Sequence, residues 1–161
     1  FSANTTAGYK AVYEDSAFYF DNTNNTLYAT LFSGTATSAR YADLAEMYAA
    51  DGEIEPGTVV CFGGDAEVTV CNHDMDRKVA GVVSTNPAYL MNSEAEGVAV
   101  ALQGRVPVKV TGPVAKGDML VSAGNGMARA EENPAMGSVI GKALEDFDGA
   151  EGVIEVVVGR L

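Results

Sequence analysis

The strongest constraint on the fold of this 161-residue chain is that its last hundred or so residues state one pattern twice. Shifted by 60 positions, Gly57, Gly64, Val79 and Gly81 fall on Gly117, Gly124, Val139 and Gly141, while apolar Ile54, Val59 and Val60 fall on Val114, Met119 and Leu120. After a five-residue contraction the match resumes at an offset of 55, with Gly97-Val98 on Gly152-Val153 and Gly104-Arg105-Val106 on Gly159-Arg160-Leu161. Glycine enters φ > 0 without steric cost, so glycines that recur at matched places mark repeated turns. The expectation is two copies of one β unit, about 55–106 and 115–161.

The segments between those turns read as strands, at 57–62, 67–71, 78–84, 97–103, 105–111, 118–122, 127–130, 138–144 and 152–158. Pro56-Gly57, Gly63-Gly64-Asp65, Gly112-Pro113, Lys116-Gly117-Asp118 and Asn125-Gly126 punctuate them. Short strands with regular punctuation predict an all-β fold, a compact barrel or sandwich built from the two duplicated units as interlocked halves about a pseudo-twofold. The loop 85–96 has no counterpart of equal length and is a candidate contact surface, with Tyr89 and Asn92 as binding residues. Residues 41–50 carry apolar groups at 41, 44, 45 and 48, a spacing that predicts one short helix with Ser38 as N-cap and Gly52 as stop.

The first 40 residues read differently. Ala17-Phe18-Tyr19-Phe20 and Thr26-Leu27-Tyr28-Ala29-Thr30-Leu31-Phe32 flank a polar loop, which predicts a β-hairpin with little of its own to pack against. Phe18, Phe20, Leu27, Leu31 and Phe32 are therefore candidate oligomerisation residues, buried by other chains. The small residues Ser33 to Ala39 can pack close to an axis. The expected organisation is a shaft-like β segment over 1–40 followed by a barrel-like tip domain over 41–161. The opening on Phe1 without a Met reads as a fragment or a processed product.

Ten Lys and Arg against 22 Asp and Glu give a net charge of −12, which argues against nucleic acid, since phosphate binding needs clustered cations. No apolar run reaches the ~20 residues of a membrane-spanning helix, and the first residues carry no signal-peptide pattern. Cys61 and Cys71 flank a turn; pairing Phe62 with Glu67 puts the thiols on opposite faces, so two free thiols and a reducing cytoplasm are expected. His73, the sole histidine, lies in Cys71-Asn72-His73-Asp74-Met75-Asp76, which lacks a zinc spacing and reads as a solvated loop. No nucleotide-binding, hydrolase or EF-hand motif occurs, so no metal and no cofactor are expected.

The run Asn24 to Ala45 resembles the shaft-to-tip transition of phage tail fibres. Ala42-Asp43-Leu44-Ala45-Glu46-Met47-Tyr48, Glu55-Pro56-Gly57-Thr58-Val59-Val60 and Gly81-Val82-Val83-Ser84-Thr85-Asn86-Pro87 are similar to the intramolecular-chaperone, autoproteolytic (peptidase G2) domain of phage neck appendage proteins. The resemblance implies a homotrimeric virion structural protein of tail, neck or fibre, assembled in the host cytoplasm among other virion proteins. It implies a role in trimer assembly and contact with a host-surface glycan or protein. Some members of the family cut themselves at the entry to this domain; the matching residues here are Ser38, Asp43, Glu46 and Ser84. The readings are thus a structural fibre tip, a self-cleaving chaperone domain acting once on its own chain, and a carbohydrate-binding tip using Tyr89 and Asn92. The sequence leans away from an enzyme.

Overall fold

The computed structural model of the protein describes residues 18–23, 25–29, 38 and 42–159, and the chain divides into two compact units, Phe1–Ser38 and Ala39–Leu161. The described residues are all β, without helix.

In the first unit β1 (Phe18–Asp21) pairs antiparallel with β2 (Thr26–Ala29). Asn25 takes the left-handed conformation, φ 56°, that the reversal requires and asparagine tolerates. Side chains alternate across a strand, so Phe20 and Leu27 share one face while Tyr19 and Tyr28 stack on the other, ring centroids 4.6 Å apart.

The second unit holds β3 (Asp43–Tyr48), β4 (Val59–Phe62), β5 (Val68–Val70), β6 (Val79–Val83), β7 (Tyr89–Met91), β8 (Val98–Thr111), β9 (Met119–Gly124), β10 (Met127–Ala130), β11 (Val139–Ala143) and β12 (Glu151–Val158). The sheet runs β10-β9-β11-β12-β8-β6-β4-β5, and an additional β10–β8 pairing closes β8, β12, β11, β9 and β10 into a five-stranded ring. β3, β8, β6, β4 and β5 close in the same way through a parallel bridge between Ala50 and Val68.

The ladders repeat residue by residue. Val59↔Val82, Val60↔Gly81 and Cys61↔Val79 recur 60 positions on as Met119↔Lys142, Leu120↔Gly141 and Val121↔Val139, with the bulge in the same place. Val60↔Val70, Cys61↔Thr69 and Phe62↔Val68 recur as Leu120↔Ala130, Val121↔Arg129 and Ser122↔Ala128. The closing bridge Ala50↔Val68 recurs as Val110↔Ala128.

β3 is the counterpart of the second half of β8: Ala45↔Ala101 and Tyr48↔Val98 recur as Arg105↔Val157 and Val108↔Ile154. β8 is therefore the last strand of one barrel and the first of the next, and its Gly104, φ 112°, pairs with Asp43 on one side and Val158 on the other. These pairings differ from the sequence reading in three ways. The repeated pattern begins at β3, which shares no identity with residues 103–108 and so left no sequence trace. The last strands correspond at an offset of 56, where the glycines had suggested 55. Each unit closes its own ring, so there are two barrels sharing a strand in place of one barrel of interlocked halves.

The interiors correspond too. Val60, Val68, Ala80, Val83 and Val100 form the first core, and their counterparts Leu120, Ala128, Ile140, Ala143 and Val156 lie in the second. Volume is redistributed at these positions: Leu and Ile replace Val and Ala at two, while Ala replaces Val at two others, which keeps a small barrel filled. Val59, Cys61, Cys71, Val82, Ala101 and Val106 belong to the same buried cluster as the second core and join the two barrels.

Residues 43–48 are strand where a helix was expected. The spacing of 41, 44, 45 and 48 suits a helix, but a ten-residue helix is marginal alone, while β3 gains ladders to both β7 and β8. A register shift between Leu44 and Ala45 hides the two-residue alternation that would have marked the strand.

Cys61 and Cys71 form a disulfide, Cα atoms 5.1 Å apart, where free thiols were expected. The hairpin is one residue out of the expected register, with Cys61 opposite Thr69, so both sulfurs lie on one face. The bulge at Val60/Cys61 and the end of β5 at Val70 let the strands coil, which brings the diagonal pair closer than a flat ladder allows.

The loop from His73 to Asp76 is solvated at His73 and Asp74, as expected, and it also clasps the two barrels together. Met75 N donates to Ser122 O at 2.8 Å, Asp76 N donates to Ser122 Oγ at 2.8 Å, and Ser122 Oγ donates to His73 O at 2.9 Å. Arg129 grips Asp74 through Nε (2.6 Å) and Nη2 (2.8 Å) and Glu131 through Nη1 (2.8 Å). These bonds hold both carboxyls below their ordinary values of 3.8 and 4.5. Groups with a depressed folded pKa add stability above the unfolded pKa and lose it as pH falls through the folded one. Arg129→Gln is expected to be less stable than the parent near neutral pH, with the difference closing in acid below those values. Urea unfolding at about pH 7 and about pH 2 checks this; a difference that persists in acid would place the role of Arg129 in packing.

Candidate functional site

Two of the sequence-chosen residues, Asp43 and Ser84, meet at a groove of about 320 Å³ where β3, the end of β6 and the second half of β8 converge. Asp43 opens β3 and Ser84 follows β6; both are buried, and Ser84 Oγ donates to Asp43 Oδ2 at 2.6 Å. The backbone fixes both. Arg105 N donates to Ala42 O at 3.2 Å, Ala88 N to Asp43 O at 2.9 Å, and Ser84 N to Ala99 O at 2.8 Å. Gly104 allows the approach, since a Cβ there would overlap the Ala42 carbonyl oxygen. Thr85, Asn86, Arg105 and Glu155 complete the polar lining over a floor of Val106 and Pro107.

A buried hydroxyl held on a carboxylate is a strong, short hydrogen bond, and two roles are open to it. It can pin β3 to β6, or the carboxylate can take the hydroxyl proton during attack on a carbonyl. The barrel does not require the pair: 60 positions on, Asp43 and Ser84 fall on Gln103 and Leu144, and the second ring closes with those. His73 serves the clasp loop, 84% exposed and 3.7 Å from Asp76, so no Ser-His-Asp triad forms.

The remaining chosen residues lie elsewhere. Glu46 accepts a hydrogen bond from Tyr48 Oη at 2.8 Å. Ser38 is exposed and belongs to the first unit. Tyr89 on β7 is 65% exposed beside Leu44, its partner in the parallel ladder. Asn92, φ 52°, donates through Nδ2 to Met47 O at 3.2 Å, tying the inserted loop to β3. Phe18 lies in β1, Phe20 and Leu27 are about half exposed, and Leu31 and Phe32 lie outside the described residues. Arg105, Asn86 and Glu155 were not anticipated; Arg105 had been absorbed into the repeated Gly-Arg pattern, and nothing local marks the other two. Cys71, in the disulfide, is not a metal ligand, and the described residues contain no group of three or more His, Cys, Asp or Glu placed to hold an ion.

No family model matches the chain, and no curated protein matches it. Among solved structures, it is similar to the N base of the head fibre gp8.5 of bacteriophage phi29, with 14% identity and a TM-score of 0.43, over 73% of this chain and 94% of that one. A likeness of that degree assigns neither fold nor function.

Proposed function

We propose that the protein is a structural virion component, the C-terminal domain of a trimeric phage-type fibre or appendage. In this reading residues 1–40 continue a shaft and 41–161 form a tip that serves assembly and contacts a host surface. The observation that carries it is the hairpin: Tyr19, Phe20, Leu27 and Tyr28 are 44%, 46%, 50% and 40% exposed, on both faces of a two-stranded ribbon. Apolar burial yields about 25 cal/mol per Å², against an ordering cost of about 1–2 kcal/mol per residue, so a bare ribbon needs further surfaces over it. Other copies of the same chain supply them. The buried disulfide suits a particle that persists in oxidising surroundings. Molar mass in solution tests the reading: a trimer is expected for the full chain, and weaker association without residues 1–38. A monomer at micromolar concentration with the hairpin amides protected from exchange would overturn it.

The Asp43–Ser84 pair favours a second reading, one self-cleavage, in which water is consumed and a peptide bond becomes a carboxylate and an amine. It requires the intact mass to resolve into two fragments cut near residues 38–46, and Ser84→Ala to leave the chain whole. A single intact mass for the parent leaves the pair as a pin.

A further inference from the structure

We propose that the apolar groove on the second barrel is the seat of a second copy of this chain, bound head to tail. The groove, about 440 Å³, is lined by Gly117, Ala143, Leu144 and Val157 and flanked by Lys116 and Lys142. The correspondence between the barrels shows that the same place is filled in the first barrel. The matching positions of the first barrel are Gly57, Val82 and Ala101, which answer to Gly117, Lys142 and Val157.

In the first barrel this place is covered. Val82 and Ala101 are 0% exposed and pack in one cluster with Val106 of the next unit. Lys109 N donates to Gly57 O at 2.9 Å, and a Cβ at Gly57 would meet the Pro107 carbonyl oxygen at 3.4 Å. One barrel therefore carries the opening strand of a following barrel here. In the second barrel the same face is open: Lys142 is exposed and Val157 is 42% exposed.

A second copy presents a matching surface on its first barrel. Leu44 and Tyr89 lie side by side, 36% and 65% exposed, and the loop after Tyr89 adds exposed Glu94 and Glu96. An apolar patch edged with acid meets an apolar groove edged with two of the ten cations of a chain whose net charge is −12. Groove and patch are different surfaces, so the contact is heterologous and generates a ring or a filament. Closure at three copies, which rests on the trimer reading above, sets six barrels around one axis.

The test uses two full-length variants, Val157→Cys and Tyr89→Cys, with a short bis-maleimide; the native cysteines are 1% and 3% exposed and already paired. Each variant alone is expected to give no covalent dimer, whereas co-expressed they give one, because residue 157 of one copy faces residue 89 of the next. A dimer from Val157→Cys alone would mean a face-to-face contact and overturn the proposal, as would no dimer from the mixture. A parent that is trimeric by mass while the mixture stays uncrosslinked removes the seat and leaves the trimer. A crosslinked mixture with a non-trimeric parent keeps the seat and removes the trimer.

Discussion

Gly141→Ala is expected to destabilise the protein by about 3 kcal/mol or more, and Gly81→Ala to do the same. Neither glycine has a positive φ, so the demand is for space. A Cβ at Gly141 would overlap the Val157 carbonyl oxygen, and one at Gly81 the Ala101 carbonyl oxygen. Val157 and Ala101 are themselves counterparts, so the same close approach is built twice. A backbone carbonyl held in a ladder cannot swing aside as a side chain tip can, and the strain is relieved only by parting the strands. Gly52→Ala is the control: nothing lies within 4 Å of its Cβ position, and a change within about 0.5 kcal/mol is expected. Denaturant midpoints for the three variants settle the matter; Gly141→Ala behaving like Gly52→Ala would refute the shared constraint.

Loss of the Cys61–Cys71 bond, by reduction or by Cys61→Ala with Cys71→Ala, is expected to cost about 2–3 kcal/mol while the fold survives. The magnitude follows from a sequence separation of 10 residues, which gives a short loop and a modest restriction of the unfolded chain. Survival follows from the second barrel, where Val121 and Glu131 stand at the corresponding positions and the ring closes without a crosslink. Urea unfolding with and without a reductant measures the difference. Complete unfolding on reduction would show that the first barrel lacks the intrinsic stability of the second.

β4, β6, β9, β11 and β12 were legible because each carries valine between turn residues, and they fall within two residues of the expected segments; β8 runs unbroken through the two strands expected at 97–103 and 105–111. β3 was illegible because what makes it a strand is distant: its partners begin at Tyr89 and Val98, and its own spacing favours a helix. The disulfide was missed over a single residue of hairpin register, which turn sequence alone left open between two values. Of the groove, Asp43 and Ser84 came into view only through the likeness to a family, since a bond between residues 41 positions apart has no local signature. Arg105 and Glu155 face each other's strands across the β8–β12 ladder, and that adjacency exists only once the barrels close.

Gly104 has one further implication. Asp43 and Val158, the first residue of β3 and the last of β12, are its neighbours on either side, so the polypeptide enters and leaves the two-barrel body about two strand spacings apart, roughly 10 Å. Tension along a longer polypeptide would cross three strands at one point and bypass both barrels, and the ends could be joined by a short linker and reopened in a surface loop without disturbing a ladder.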